Sequence, residues 1–225
     1  MKLYDGGVSP NPFTVRLFIA ERGGLSLEVE AVDLLNLANR SEPYLSVNPR
    51  GEVPALRLDD GTVLTEITAI CEYLDEVAAT GPSLVGQTAE QRAATRMWTR
   101  RVDLEAAQRF IDWWRGSEDA DAFYRGHRVT QSAGREANRR IAEQGFGRLD
   151  QDLAGRSFFF GERPGLADIL LFAFMFTMKD AIPWLNPPDR TNVAGWFTRM
   201  SERPSVSAAQ QPVRLIHASA GGSGA

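Results

Sequence analysis

Strand-like and helix-like patterns are segregated along this chain: every strand signal falls before Ala78, and only helical periodicity follows it. Residues 2–4 read as a short strand, followed by a Gly- and Pro-rich loop through Pro12, which suits the first position of a helix. Phe13, Val15, Leu17, Phe18 and Ile19 give that helix an apolar face, and Gly23-Gly24 should end it. Leu27, Val29, Ala31 and Val32 alternate with Glu28 and Glu30 closely enough to predict a second strand. Residues 36–49 are polar and predict irregular structure with one short helix. Residues 54–58 and 62–64 flank Asp59-Asp60-Gly61, a hairpin signal, and a helix should run from Glu66 to about Val77.

The order strand, helix, strand, loop, hairpin, helix predicts an α/β unit of thioredoxin type over residues 1–78. Residues 79–87, with Ala79-Thr80-Gly81-Pro82-Ser83, read as a turn-rich linker. Residues 88–215 predict an all-helical domain. Apolar residues recur at helical spacing from Thr88 to about Ser117 and from about Asp119 to Leu153. A helix from Gly165 through Ala181 lacks a polar face and should be buried. A shorter one, from Val193 to Met200, stops before Pro204. Residues 216–225 read as a disordered tail. The expected fold class is therefore α/β plus all-α, a thioredoxin-like domain followed by a helical one.

Composition narrows the function. A net charge of −4 leaves no footprint for nucleic acid or an anionic membrane surface. The single Cys71 excludes an intramolecular disulfide and a Cys-x-x-Cys redox pair, and its apolar helix marks it as inert packing. No secretory pattern opens the sequence and no apolar run could span a bilayer, so the expected location is cytoplasmic. No metal is expected.

The chemistry-bearing segment is Asn48-Pro49-Arg50-Gly51-Glu52-Val53-Pro54-Ala55-Leu56, with Glu66 twelve residues after Pro54. Pro54 cannot donate to a strand ladder and pushes Val53 into an extended conformation, leaving a backbone edge that a peptide can join. The helix start after Glu66 offers bare N–H groups to a carboxylate, while Glu66 suits an ammonium. Extended backbone beside a zwitterion-sized site fits a small γ-linked peptide. These residues resemble the glutathione-binding half of the cytosolic glutathione transferases, and the resemblance extends from Lys2 to roughly Pro212. The stretch from Gly86 to Glu105 resembles an atypical fungal and bacterial branch of that family.

The resemblance implies glutathione as co-substrate, a homodimer and attack on a small hydrophobic electrophile. A free thiol is only a few per cent ionised at neutral pH, so a donor or helix start must stabilise the thiolate. Ser9 and Asn11, donors in the loop entering the first helix, are the matching catalytic candidates. Val53 and Pro54 match the family's cis-proline site, and Glu66 with the Ile67 N–H matches the γ-glutamyl contact. Phe13 joins the glutathione-site candidates and also the apolar walls. Asn39, Arg40 and Arg50 are candidates for the glycyl carboxylate. Ile67 replaces the family's usual Ser or Thr, and Glu52 its frequent Lys. Phe110, Trp113, Trp114 and Trp184 are candidate walls for the electrophile. The atypical branch is suspected of activating the thiol with helical-domain residues, for which His127 or Ser117 would be the candidates, although His127 reads first as a solvent-facing helical residue. A charge within 100–105 could reach across a dimer. Asp168 should serve folding. The competing reading is a non-catalytic binding module on the same scaffold; a glutaredoxin-like reductase would need a Cys near the first helix, where none stands.

Overall fold

The computed structural model describes residues 1–7 and 9–211, and the backbone of 216–217. Residues Met1–Gln87, with the described residues from Arg203 onward, form one compact unit, and Thr88–Glu202 form a second.

In the first unit β1 (Lys2–Asp5) leads through α1 (Pro10–Arg22) to β2 (Ser26–Ala31). A 3-10 turn (Ala38–Arg40) and the short α2 (Tyr44–Val47) follow. Then come β3 (Ala55–Arg57), β4 (Val63–Leu64) and α3 (Ile67–Val77). The helix α1 supplies the crossover that the parallel β1–β2 pair requires. Strand β3 lies antiparallel to β1 with Tyr4 opposite Ala55, and β4 antiparallel to β3. Ser9 stands at the N-cap of α1 and Pro10 enters its first turn, so the helix begins before Pro12. Gly23, at φ 65°, ends it as expected. Phe13, Val15, Leu17, Phe18 and Ile19 are buried with Leu3, Leu56, Ile70, Cys71 and Leu74.

Polar residues of α1 are buried as well. Arg22 Nε meets Asp75 at 2.8 Å, and Asp75 also accepts from the N–H of Leu84 and the hydroxyl of Ser83. The linker at 79–87 is thereby fastened to its own unit.

Beyond the second unit, α10 (Pro204–Gln210) packs on α1. Arg203 Nε donates to Glu21 at 2.9 Å, and Val206 and Ala209 are buried. Only the breaking power of Pro204 is visible in the sequence; seven residues are too few to show a helical period. The helical unit thus ends at Glu202, short of the expected residue 215. Of the segment read as a tail, Ile216–His217 pair antiparallel with β2 as β5, and 218–225 lie outside the described residues.

The second unit opens with α4 (Ala89–Val102), started by a reciprocal cap between Thr88 and Gln91. A π-helical turn (Asp103–Ala107) links it to α5 (Gln108–Arg115). Then follow α6 (Glu118–Tyr124), α7 (Arg135–Asp152), α8 (Leu166–Met178) and α9 (Thr191–Ser201). The helix expected from 119 to 153 is thus broken: Arg125 and Gly126, at φ 49° and 81°, turn the chain out of α6. Helix α8 is buried on almost every side, as its unbroken apolar run predicts. Asp168, fully buried, accepts from the N–H of Gly165 at 2.9 Å, of Phe159 at 3.1 Å and from the indole of Trp196 at 2.8 Å. Burial outweighs these donors and pushes its carboxyl up to about 6.

Candidate functional site

The loop between β1 and α1 is packed against the segment before β3. A Cβ on Gly6 would lie 2.6 Å from Val53 Cγ2 and 3.0 Å from Pro12 Cγ, so only glycine permits this approach. Ser9, three residues on, is half-buried. Its carbonyl accepts the Phe13 N–H at 3.0 Å, but its hydroxyl makes no cap bond and only reaches the Gly6 carbonyl at 3.4 Å. The Asn11 amide, also half-buried, carries no hydrogen bond among the described residues. The two donors at the positive end of α1 thus make between them a single long hydrogen bond among the described residues.

The Val53–Pro54 peptide is cis. Val53 stands just outside the β1–β3 ladder, which begins at Ala55, and its N–H and C=O make no hydrogen bond among the described residues. The three residues before it are held by side chains, one carbonyl at a time. Arg40 Nη1 donates to the Arg50 carbonyl at 3.0 Å and Asn39 Nδ2 to that of Gly51 at 2.6 Å. Tyr44 Oη and Asn48 Nδ2 donate to that of Glu52 at 2.6 and 2.7 Å. Consecutive carbonyls pinned in this way fix the orientation of Val53. Desolvation pushes the Tyr44 phenol up to about 12, which keeps it a donor.

Glu66 precedes α3 with φ 68° and ψ 119°, a conformation rare outside glycine. Its carbonyl receives the Ile70 N–H at 3.0 Å, its side chain is exposed, and no side chain caps the helix. The N–H groups of Ile67 and Thr68 therefore remain open to an anion.

This geometry suits an extended peptide carrying a carboxylate and an ammonium, and likeness to known proteins agrees. The family model described as glutathione S-transferase, N-terminal domain, matches residues 8–77, and its C-terminal counterpart matches 132–199. Glutathione S-transferase 2 of Saccharomyces cerevisiae is 31% identical over 219 residues, covering 92% of this chain and 88% of that protein. The chain belongs to the glutathione S-transferase family. A maleylacetoacetate isomerase of Pseudomonas aeruginosa is 28% identical over 228 residues, covering 96% and 95%. The crystal structure of Gtt2 from Saccharomyces cerevisiae superposes with a TM-score of 0.82 at 27% identity, covering 93% of this chain and all of that one.

Within this glutathione S-transferase several of the expected site residues are buried. Phe13 is 1% exposed in the core of the first unit and presents no wall. Asn39 is buried with its amide spent on Gly51; its remaining atom, Oδ1, is an acceptor and would repel a carboxylate. Arg40 and the exposed Arg50 remain as cations beside the loop. Phe110 is fully buried, stacked on Phe146 at 6.1 Å and edge-on to Phe174. Helical or loop spacing does not distinguish a residue lining a site from one supporting it.

Trp113 and Trp184 meet edge to face at 5.4 Å and are half-buried, with the Arg135 guanidinium 4.0 Å over Trp113. Trp114 packs on Phe123 and Tyr124. Ser117 is spent capping α6, and His127 is exposed in the loop after it rather than on a helix. Asp103 is engaged by Gln108 at 3.1 Å and by Arg100 at 3.7 Å, all in its own unit. Among the described residues, no group of three or more His, Cys, Asp or Glu could hold a metal ion, and no helix is long and apolar enough to cross a membrane.

Sequence reasoning missed Tyr44 and the bracing role of Asn48. Asn48 opens the segment singled out in the sequence, whereas nothing local marks Tyr44 or the backbone of Glu66.

Proposed function

We propose that this glutathione S-transferase holds glutathione on its first unit and activates the thiol as a thiolate for attack on a hydrophobic electrophile. The backbone of Val53 pairs with the peptide, and Glu66 with the Ile67 N–H receives the γ-glutamyl end. Arg40 and Arg50 face the glycyl carboxylate. The Ser9 hydroxyl or the Asn11 amide donates to the sulfur, lowering its pKa by stabilising the anion. Trp113, Trp114 and Trp184 offer apolar surface to the second substrate, and the active form is a cytoplasmic homodimer.

The observation that carries this reading is the pair of donors at the start of α1, of which only Ser9 is engaged, and only at 3.4 Å, on a loop whose Gly6 packs against Val53. The Asn11 amide has found no partner among the described residues, and the Ser9 hydroxyl only a 3.4 Å bond to the Gly6 carbonyl. The test is the ultraviolet absorbance of bound glutathione thiolate against pH, in the wild type, Ser9→Ala and Asn11→Ala. A bound-thiol pKa well below the free value, restored towards it by one substitution, is the expected result. An unshifted pKa in the wild type overturns thiol activation, and failure to bind glutathione favours a non-catalytic module.

A further inference from the structure

One buried ionic group of the first unit is bonded to the loop that bears Ser9, through the Gly7 N–H. Asp5 ends β1 and is 1% exposed; its Oδ2 accepts the Gly7 N–H at 3.0 Å, while Oδ1, equally buried, has no hydrogen-bond partner. Arg16, on α1 and 5% exposed, places Nη1 3.8 Å from Asp5 Oδ2, within ion-pair reach but beyond a hydrogen bond. Its Nη2 donates instead to the carbonyl of Gln211, just after α10. Burial raises the Asp5 carboxyl above its ordinary range and lowers Arg16, each opposed by the other's charge.

This arrangement is poor as a stabilising ion pair. The charges are desolvated, their contact is long, and one carboxylate oxygen goes unpaired, a combination that an apolar pair of equal volume would improve upon. What the carboxylate does accomplish is local. Gly7 turns at φ 69°, and among the described residues the hydrogen bond that holds its N–H is the one to Asp5. Gly6 before it is wedged against Val53, and Ser9 follows two residues later.

We propose that Asp5 and Arg16 are positioning residues: Asp5 sets the β1–α1 loop so that Ser9 and Asn11 face the thiol, and Arg16 ties that setting to the segment after α10. Chemistry at the sulfur rests on the function proposed above, whereas the positioning of the loop does not.

Amide hydrogen exchange and the bound-thiol titration, run side by side on the full chain, separate the two. Asp5→Ala should speed exchange in a peptide spanning 6–13 by about tenfold, leave α7 and α8 unchanged, and lower kcat/KM for glutathione by about tenfold through misplacement of the donors. Asp5→Asn, which keeps an acceptor for the Gly7 N–H, should recover most of both. Arg16→Lys, too short to span Asp5 and Gln211, should speed exchange in 6–13 and in 204–211 together. Unchanged exchange in 6–13 for Asp5→Ala overturns the proposal; should that variant fail to fold, the same result for Arg16→Lys does so. Faster exchange with an unmoved thiol pKa, where Ser9→Ala does move it, overturns the role in the reaction. If neither Ser9→Ala nor Asn11→Ala moves the thiol pKa, the proposed function fails while the exchange result still decides the positioning.

Discussion

Asn39 donates to the carbonyl of Gly51 at 2.6 Å while Gly51 turns at φ 62° directly against the backbone of Asn39. A Cβ on Gly51 would fall 2.6 Å from the Asn39 carbonyl oxygen. Gly51→Ala therefore combines a left-handed backbone with a backbone clash and should cost about 2–3 kcal/mol. Asn39→Ala, which leaves the Gly51 carbonyl unpaired, should cost about 1–3 kcal/mol. Both should raise KM for glutathione more than they lower kcat, because they loosen the loop before Val53 rather than the thiol donors. Urea midpoints and steady-state kinetics check this.

Tyr44→Phe removes one of the two donors to the Glu52 carbonyl, and Asn48→Ala the other. Each alone should cost about 1 kcal/mol, and the double variant more than the sum, since only then is the carbonyl bare. With its folded pKa near 12, the Tyr44 phenol stays protonated at neutral pH. Its contribution should be constant below about pH 10 and fall only as pH rises past that value. A double-mutant cycle at two pH values measures both.

Asp168 gives stability a pH dependence of definite sign. Its folded carboxyl titrates near 6, against about 3.9 unfolded, so between these values the folded chain binds more protons. Stability should fall as pH rises from about 4 to about 6, by up to about 3 kcal/mol, and level off above. Asp168→Asn should abolish that slope. It should also weaken the start of α8, because its amide N–H2 would confront the Gly165 N–H that Oδ2 now accepts. Urea titrations at several pH values, read by Trp196 fluorescence, test both effects.

Helix α7 meets the π-helical turn backbone to backbone: a Cβ on Gly145 would sit 2.0 Å from the Glu105 carbonyl oxygen. Gly145→Ala should destabilise by about 3 kcal/mol or more. Gly147, two residues on, faces open space, and Gly147→Ala should stabilise by up to about 1 kcal/mol through helix propensity alone. Thermal melts of the two variants would shift in opposite directions.

Much of this was legible in the chain itself. The shift from mixed to purely helical periodicity near Ala78 announced two units, Gly23-Gly24 and Asp59-Asp60-Gly61 marked the turns, and Val53-Pro54 with Glu66 pointed to a peptide site. These signals are local: each depends on what a residue's own backbone or near neighbours permit. Spacing does not distinguish support from lining. Phe13, Asn39 and Phe110 have the right chemistry for a ligand wall, yet packing buries all three.

By itself the sequence determined the strands and helices of residues 2–77, the buried α8 and the place of the Val53-Pro54 pair. Tertiary structure alone decided that Arg40, Asn39, Tyr44 and Asn48 pin three consecutive carbonyls ahead of Val53. It likewise decided that Asp5 meets Arg16, and that α10 returns to α1 from 182 residues away. Propensity and period act over a few residues, whereas burial and hydrogen-bond partnership join residues far apart in the chain. Those long-range contacts exist only once the chain has folded.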